Sequence, residues 1–330
     1  MACKFVPLPL QKHISIFSKY VLIHILLLHS TLSFSQLIST DTTSLAKERL
    51  QKNRIKWVAA GNIGGYGGAM IGLYSAWYRN YPQSKFHSFN DWREWKQVDK
   101  VGHLYGAYIE SVGSMELWRW AGMDRKKRIW IGGLSGAAYQ TIIEVLDGFS
   151  KDWGWSWGDF AANITGSGLL IGQELAWDEQ RIRIKFSYHP LSYNDPQVQE
   201  RSNQLFGSNQ SNRFLKDYNG QTYWASISVA SFLQNSKWPK WLNIAVGYGA
   251  EGLLGGRENR ASTPVGGVVF DRRDIPRVRQ WYLAPDIDWK KIHTNRAGLR
   301  FLFTVLNAFK FPAPALEFSA GKVRLHPIYF

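Results

Sequence analysis

Residues 126–177, KKRIWIGGLSGAAYQTIIEVLDGFSKDWGWSWGDFAANITGSGLLIGQELAW, decide the fold. Two long apolar runs in this stretch are separated by a turn-forming segment that begins at Asp147-Gly148 and ends at Ser156. Glycine suits the left-handed position after a helix, and serine suits the position just before one. The stretch therefore predicts two consecutive helices, from Lys126 to Leu146 and from Ser156 to Trp177.

Both helices are apolar on nearly every side, and such helices are buried either in a bundle core or in lipid. Two further helices are predicted upstream, from Arg54 to Tyr78 and from Asp99 to Gly122. The first has no charged residue from Trp57 to Tyr78, a span long enough to cross a bilayer. Its glycines have the spacing of closely packed helices; they are Gly61, Gly64, Gly65, Gly68 and Gly72.

The pattern changes after Glu179, where we place a domain boundary. Residues 180–221 are largely polar and are expected to form a linker, with a connecting loop from Pro190 to Asn219. Residues 222–330 contain short runs rich in β-forming residues and separated by Gly and Pro, which favours an antiparallel sheet. The runs are 222–232, 241–249, 278–287, 299–305 and 322–330. The segment from Leu299 to Phe309 fits a buried helix equally well. The predicted fold is α+β, a glycine-rich, membrane-associated four-helix bundle followed by a smaller β region.

The first 35 residues have the layout of a signal peptide. Lysines at positions 4, 12 and 19 precede an apolar run from Tyr20 to Leu28, and Ser33 and Ser35 suit a cleavage site before Gln36. The alternative is an uncleaved membrane anchor from Tyr20 to Leu37. The single cysteine, Cys3, lies upstream of the apolar run, so we expect neither disulfides in the mature chain nor lipidation at the usual position.

The net charge is +15, and the basic residues are scattered along the chain. For an exported protein, anionic lipid or envelope polysaccharide is a more fitting partner than nucleic acid, which we do not expect. Sixteen tryptophans, among them Trp153, Trp155 and Trp157, favour a membrane interface, with core packing as the alternative. We therefore expect a membrane or anionic lipid, or an envelope protein, as the partner.

Three of the predicted helices each carry a pair of polar residues. Asp99 and His103 lie four residues apart, and residues at that spacing share one helix face. Asp159 and Asn163 repeat this spacing, and Glu144 and Asp147 lie three residues apart near a helix end. A buried carboxylate such as Glu144 needs a partner, either His103, Lys100 or a bound cation.

Each of these residues also has a structural interpretation. Asp99 could only cap its helix, Asp159 could only complete a capping box with Ser156, and Asn163 could bridge helices. Lys100 could extend to solvent, and Asp147 could only form a turn with Gly148. His103 has few such alternatives, because its carboxylate neighbour lies one helical turn away.

The motifs Asp99-Lys100-x-x-His103, Glu144-x-x-Asp147-Gly148 and Trp157-Gly158-Asp159 occur in this order, followed by Asn163. They resemble the YfiM-like predicted periplasmic (lipo)proteins, domain of unknown function 2279, over roughly residues 99–177. The tail resembles that of long Bacteroidetes-type members, and the motif order is more distantly similar to VanZ-like membrane proteins. The resemblance implies a helical fold and a place on the periplasmic side of the cell envelope, with the inner or outer membrane undecided, and no established activity.

Two functions remain open. The first is a non-enzymatic envelope protein, in which the cluster fixes helix register and the β region contacts the outer membrane or a partner. The second is an enzyme acting on a lipid or cell-wall precursor. In this enzyme His103 is the general base, and Asp99 orients it. Glu144 and Asp159 bind a divalent metal or act as an acid. The candidate binding residues are Lys100, Asp147, Asp159 and Asn163. We favour the first from the sequence alone.

Overall fold

The computed structural model describes residues 44–76, 82–151, 153–233, 235–263 and 266–330. The expected signal peptide, residues 1–35, lies outside these ranges. The described chain is mixed α+β, with eight α-helices and a six-stranded antiparallel sheet. This confirms the predicted fold class at that level.

The four predicted helices are present. They are α1 (Ser44–Ala76), α2 (Val98–Trp120), α3 (Arg125–Gly148) and α4 (Trp157–Trp177). Local chemistry sets their ends, because Asp124 accepts a hydrogen bond from the backbone of Lys127 at 3.1 Å and Ser156 accepts one from Asp159 at 3.0 Å. Gly122, with φ of 80°, follows the end of α2.

Helices α2, α3 and α4 pack closely, and glycines make this packing tight. A Cβ atom at Gly136 would meet the carbonyl oxygen of Ala107, and one at Gly166 would meet that of Leu104. The glycines of α1 do not show the close helix packing that their spacing predicted. At positions 61, 64, 65 and 68 a Cβ atom would have no described residue within 4 Å, so close packing is not confirmed there. Helix α1 contacts the others through Val58, which packs on Trp118.

The second half of the chain contains strands β1 (Ile182–Tyr188), β2 (Gln221–Ile227), β3 (Leu242–Glu251), β4 (Arg260–Ser262), β5 (Val268–Asp271), β6 (Val278–Ile287), β7 (Ala313–Ser319) and β8 (Lys322–Tyr329). The main sheet has the order β1-β2-β3-β6-β7-β8, and β4 pairs with β5. The helices in this half of the chain are α5 (Pro196–Phe206), α6 (Gln210–Lys216), α7 (Val229–Phe232) and α8 (Ala297–Leu306).

Segment 180–221 is more structured than a linker. It contains β1, an edge strand of the sheet, and the helices α5 and α6, which begin at the capping residues Asp195 and Asn209. The strand expected at 299–305 is instead helix α8, which the sequence allowed as the alternative. The domain boundary after Glu179 stays a prediction.

Helix α2 packs directly on the sheet. Tyr105 stacks on Phe186 of β1 with ring centroids 5.7 Å apart, and its hydroxyl donates to the carbonyl of Ala308 at 3.0 Å. Val98 and Tyr223 join Phe186 in the same buried cluster. The sheet therefore supports the first turns of α2, where the candidate site begins. Across the described ranges, none of the helices is both long and apolar enough to cross a membrane.

Candidate functional site

The predicted polar residues converge at one end of the three packed helices. The chain enters α2 at this end, leaves α3 at it and enters α4 at it again, so the start of α2, the end of α3 and the start of α4 are neighbours. Asp99, Lys100 and His103 project from α2, Glu144 from α3, and Asp159 and Asn163 from α4. The close helix approach at Gly136 and Gly166 brings these side chains within reach of one another.

Lys100 is the centre of a buried ion-pair network. Its Nζ lies 2.5 Å from Asp91 Oδ2, 3.0 Å from Asp99 Oδ2 and 2.9 Å from Asp159 Oδ1. Burial alone would lower the pKa of Lys100, but the charges of Asp99 and Asp159 outweigh burial and hold it above the ordinary value. Lys100 therefore pairs with aspartates, neither extending to solvent nor contacting Glu144 as proposed from the sequence.

His103 lies between Asn163 and two carboxylates. Its Nδ1 is 3.3 Å from Asn163 Oδ1 and 3.6 Å from Glu144 Oε1, and its Nε2 is 3.7 Å from Asp159 Oδ1. The side chain is 25% exposed, so this is the side from which solvent reaches the cluster.

Asp99 does not orient His103 as we expected. Within the described ranges, its hydrogen bond goes to Lys100, and none joins it to His103. Asn163 instead provides the hydrogen bond that orients the imidazole. Asp99 is not a helix cap either, since it lies inside α2 with its side chain buried. Burial raises the pKa of Asp99 to about 6, although Lys100 opposes the shift.

Glu144 is the most deeply buried acid of the cluster, with 1% of the residue exposed. Its Oε2 accepts a hydrogen bond from the backbone N–H of Ser156 at 3.4 Å, while its Oε1 has no hydrogen-bond partner among the described residues. Burial, followed by the charges of Asp159 and Asp147, raises the pKa of Glu144 to about 9. Without a cation beside it, Glu144 therefore holds a proton at neutral pH.

The side-chain carboxylate of Asp159 does not cap helix α4. Ser156 caps α4 by accepting from the backbone of Asp159, but the backbone N–H of Ser156 donates to Glu144 and not back to Asp159. The capping box is therefore only half formed, and the Asp159 carboxylate faces Lys100 and His103. Burial raises its pKa, opposed by these two neighbours.

Asn163 is fully buried, and its Nδ2 has no hydrogen-bond partner among the described residues. Asp147 contributes its backbone carbonyl to the turn after α3, where it accepts from Ser150 at 2.9 Å, as the turn interpretation predicted. Its charge also helps to raise the pKa of Glu144.

Sequence reasoning missed Asp91. This residue precedes α2 in an irregular segment, where it accepts hydrogen bonds from Lys100 and, at 2.7 Å, from the Ser156 hydroxyl. These bonds outweigh burial and lower its pKa. Asp91 does not share a helix with the other residues of the cluster, so no helical spacing links it to them. Its closeness to Asp99 along the chain was the sequence feature that could have indicated its role.

Among the residues that the structure describes, two sets of three have geometry suited to a metal ion, with one ligand atom per residue and all three atoms within 4.8 Å of one another. The first set is His103, Glu144 and Asp159, and the second is Asp91, Asp99 and Asp159. The ammonium group of Lys100 already lies among the carboxylates of the second set. The first set is therefore the better candidate for a cation.

Exposed aromatic side chains border this end of the helices. Trp92 lies beside Gly158, next to the stem of Lys100, and Trp157 and Phe89 are also exposed. The guanidinium of Arg257 lies over the ring of Phe89 at 5.5 Å. We call these exposed aromatic side chains, together with Arg257, the rim of this end of the helices.

Comparison with known proteins agrees with the resemblance drawn from the motifs. Neither the curated proteins nor the solved structures include a match to this chain. The resemblance to VanZ-like proteins and to long Bacteroidetes-type members stays a prediction. Residues 89–171, which contain every member of the cluster, match the model of the family described as predicted periplasmic lipoprotein (DUF2279).

Proposed function

We propose that the cluster around His103 is a hydrolytic centre that binds one divalent cation, in an exported, membrane-associated envelope protein. One observation carries the proposal. His103, Glu144 and Asp159 offer ligand atoms within 4.8 Å of one another, and Glu144 Oε1 is buried there without a hydrogen-bond partner among the described residues. The periplasmic location follows the family description.

The charge balance supports a cation. The cluster contains four buried carboxyl groups, of Asp91, Asp99, Glu144 and Asp159, and one amino group, that of Lys100, which contacts the three aspartates. Buried carboxylates in excess of their partners either take up protons or bind a cation. The raised pKa values of Glu144 and Asp159 describe the protonated alternative. A divalent cation would displace those protons, so its binding should release protons and become tighter as the pH rises.

The ligand types suit Zn²⁺ or Mn²⁺. An imidazole with two carboxylates is a mixed nitrogen and oxygen set, which both ions accept. His103, Glu144 and Asp159 would hold the cation, and a divalent cation held there would supply a water-derived nucleophile at neutral pH. The partial exposure of His103 leaves a path for water and substrate on this side.

The other residues of the cluster have supporting roles. Asn163 Oδ1 accepts a hydrogen bond from His103 Nδ1, which assigns the ring proton to Nδ1 and leaves a lone pair on Nε2, facing Asp159. Lys100 opposes the protonation of Asp91, Asp99 and Asp159 and holds their carboxyl groups in place. Its positive charge also stabilises negative charge that develops on a substrate in the transition state.

The rim suggests the substrate class. Exposed Trp92, Trp157 and Phe89 suit an apolar chain, and Arg257 suits an anionic group. A phosphate-bearing lipid or a lipid-linked cell-wall precursor combines both features.

Cation binding is the direct test. We expect titration calorimetry of the purified protein with Mn²⁺ or Zn²⁺ to give one site, with proton release that grows as the pH is lowered from about 9. His103→Ala and Glu144→Gln should each abolish this site. His293→Ala is the matched control, because His293 is exposed and lies outside the cluster. Binding that is unchanged in both cluster variants, or absent from the wild type, would contradict the proposal.

A structural role is the second candidate, and the Lys100 network favours it. Lys100 links the segment before α2 to α4 through Asp91 and Asp159, and such a network fixes the register of packed helices. The two roles separate experimentally. A purely structural cluster predicts that His103→Ala and Glu144→Gln lower stability and leave no metal-dependent property to lose.

A further inference from the structure

The polarity of the main sheet is reversed relative to that of a sheet in water. Along β6 and β7 the residues alternate between buried and exposed, and the buried ones are mostly polar. Gln280, Tyr282, Glu317 and Ser319 are buried. The exposed residues between them are large and apolar: Trp281, Leu283, Leu316 and Phe318. An antiparallel sheet with one solvated face normally buries its apolar side.

Strand register aligns the exposed residues into two continuous rows. The first row crosses β3, β6, β7 and β8 as Val246, Leu283, Leu316 and Leu325. The second row crosses the same strands as Tyr248, Trp281, Phe318 and Val323. Leu325 is 67% exposed. Together the rows form an apolar face four strands wide, which we call the outer face.

Hydrogen bonds fix the opposite face in the interior. Glu317 accepts from His326 Nε2 at 2.7 Å, and the hydroxyls of Thr222 and Tyr329 lie 2.9 Å apart. Lys185 pairs with Asp286 at 2.8 Å, and both side chains are fully buried. Turning the sheet over would leave these groups without partners, so the apolar residues must stay on the outer face.

We propose that the outer face contacts the hydrocarbon of a lipid bilayer. The extent of exposed apolar surface favours lipid over a second copy or a single protein partner. Large exposed apolar residues also lie on helices α1, α3, α4 and α8, including Trp57, Trp130, Ile131, Leu134, Ile142, Ile164, Leu169 and Leu302. One partner covers one patch, whereas lipid covers apolar surface on several sides.

The borders of the outer face match a bilayer interface. At one border Tyr248 and Trp281 pack together with ring centroids 4.8 Å apart, and Arg279 donates to the Tyr248 hydroxyl at 3.2 Å. Lys96 adjoins the same border, since Tyr248 donates to its carbonyl. At the other border Trp241 is exposed, about 23 Å away along β3 at the usual strand rise. Aromatic residues favour both membrane interfaces, and the cations suit anionic headgroups.

This inference goes beyond the proposed hydrolytic centre and does not depend on it. Spin labels test it directly in the full chain with Cys3→Ser as background. Labels on Leu283→Cys and Leu316→Cys report on the outer face, and a label on Glu200→Cys, an exposed position on α5, is the control. Vesicles contain phosphatidylethanolamine with a minority of phosphatidylglycerol.

In vesicles we expect the two outer-face labels to be several-fold more accessible to oxygen, which concentrates in hydrocarbon, than to a water-soluble nickel complex. The Glu200 label should show the opposite preference. Flotation provides a second measurement: Leu283→Lys with Leu316→Lys should reduce vesicle binding at least about tenfold, and Glu200→Lys should not.

Two results would overturn the proposal. One is equal nickel accessibility at all three labels with and without vesicles. The other is direct spin–spin contact between outer-face labels of two chains in the absence of lipid, which would identify the face as a dimer interface. If the double lysine variant does not fold, the labels still decide.

Discussion

Replacing Lys100 by methionine should destabilise the protein strongly and in a pH-dependent way. Lys100 makes charge-assisted contacts of 2.5–3.0 Å with three buried aspartates. At about 1.5–3 kcal/mol each, these contacts would sum to about 4.5–9 kcal/mol if they were independent. The aspartates can take up protons once the amino group is gone, which limits the loss. We therefore expect about 3–5 kcal/mol near pH 8, the cost of breaking a buried ion pair.

The pH dependence has a definite sign. Without Lys100, burial and mutual repulsion raise the pKa values of Asp91, Asp99 and Asp159 above those of the unfolded chain. The folded variant then binds protons that the unfolded chain has lost, so its stability falls as the pH rises. The loss relative to wild type should be smallest near pH 4, where the aspartates of the folded variant are protonated and those of the unfolded chain begin to take up protons, and should grow toward pH 8.

Urea unfolding followed by tryptophan fluorescence at several pH values measures this difference. Lys52→Met is the matched control, because Lys52 forms an ion pair with Glu48 at 2.8 Å in which both side chains are more than half exposed. Exposed pairs of this kind contribute little, so no measurable change is expected. If Lys100→Met lost no more stability than Lys52→Met, or lost the same amount at pH 4 and pH 8, the assignment of Lys100 as the centre of a buried ion-pair network would be wrong.

The remaining predictions concern Glu110, two glycines and Asn163. Burial raises the pKa of Glu110 to about 8, and its Oε1 accepts from Gln140 at 2.8 Å. The folded state therefore keeps a proton that the unfolded state loses above about pH 4.5. The stabilisation that protonated Glu110 gives the folded state, on the order of a few kcal/mol, is complete below pH 4.5 and is lost as the pH rises through 8. The effect of Glu110→Gln on stability should therefore be more favourable at pH 9 than at pH 5. Unfolding curves that shift by the same amount at both pH values would contradict this. Gly136→Ala should cost about 1–3 kcal/mol, since its methyl group meets the Ala107 carbonyl. Gly61→Ala, where no described atom lies within 4 Å, should be neutral or stabilise by up to about 1 kcal/mol in the same assay. Asn163→Ala should weaken cation binding about 10–100-fold by calorimetry without removing it, because Asn163 orients His103 and is not itself one of the three ligands; complete loss would make it a ligand.

The sequence predicted the helices of the cluster well because their boundaries depend on local chemistry. Asp124 and Ser156 cap helices through their own side chains, and Ser156 was recognised from the sequence. The spacing of Asp99 with His103 and of Asp159 with Asn163 also predicted shared helix faces. Which residues pair with which depends on how α2, α3 and α4 pack. The backbone contacts at Gly136 and Gly166 set that packing, and no local pattern encodes them.

The differences between prediction and structure after Glu179 have separate causes. Asp195 and Asn209 are helix caps, but in a polar stretch their composition equally suggests a loop. Strand β7 was not predicted because Pro314 lies within it and Pro312 just before it, and proline is unfavourable in a strand interior. Helix α8 has an apolar run that fits either a strand or a helix.

The β-forming residues at 278–287 predicted strand β6 but not which of its faces would be buried. Alternation alone is symmetric, and a reader who assumes water would bury Leu283 and Leu316. The chain breaks this symmetry with residues that cannot be left unpaired, since Glu317 meets His326 and Asp286 meets Lys185 inside the fold. The same rule governs the helices, where Glu144 and Asn163 lie in the interior while Trp130 and Ile131 lie outside. Both halves thus bury polar groups that need partners and expose apolar ones that do not, which is why a cation at His103 and lipid at the outer face are complementary proposals. The cation would supply a second positive charge within the cluster, and lipid would supply an apolar environment around the sheet.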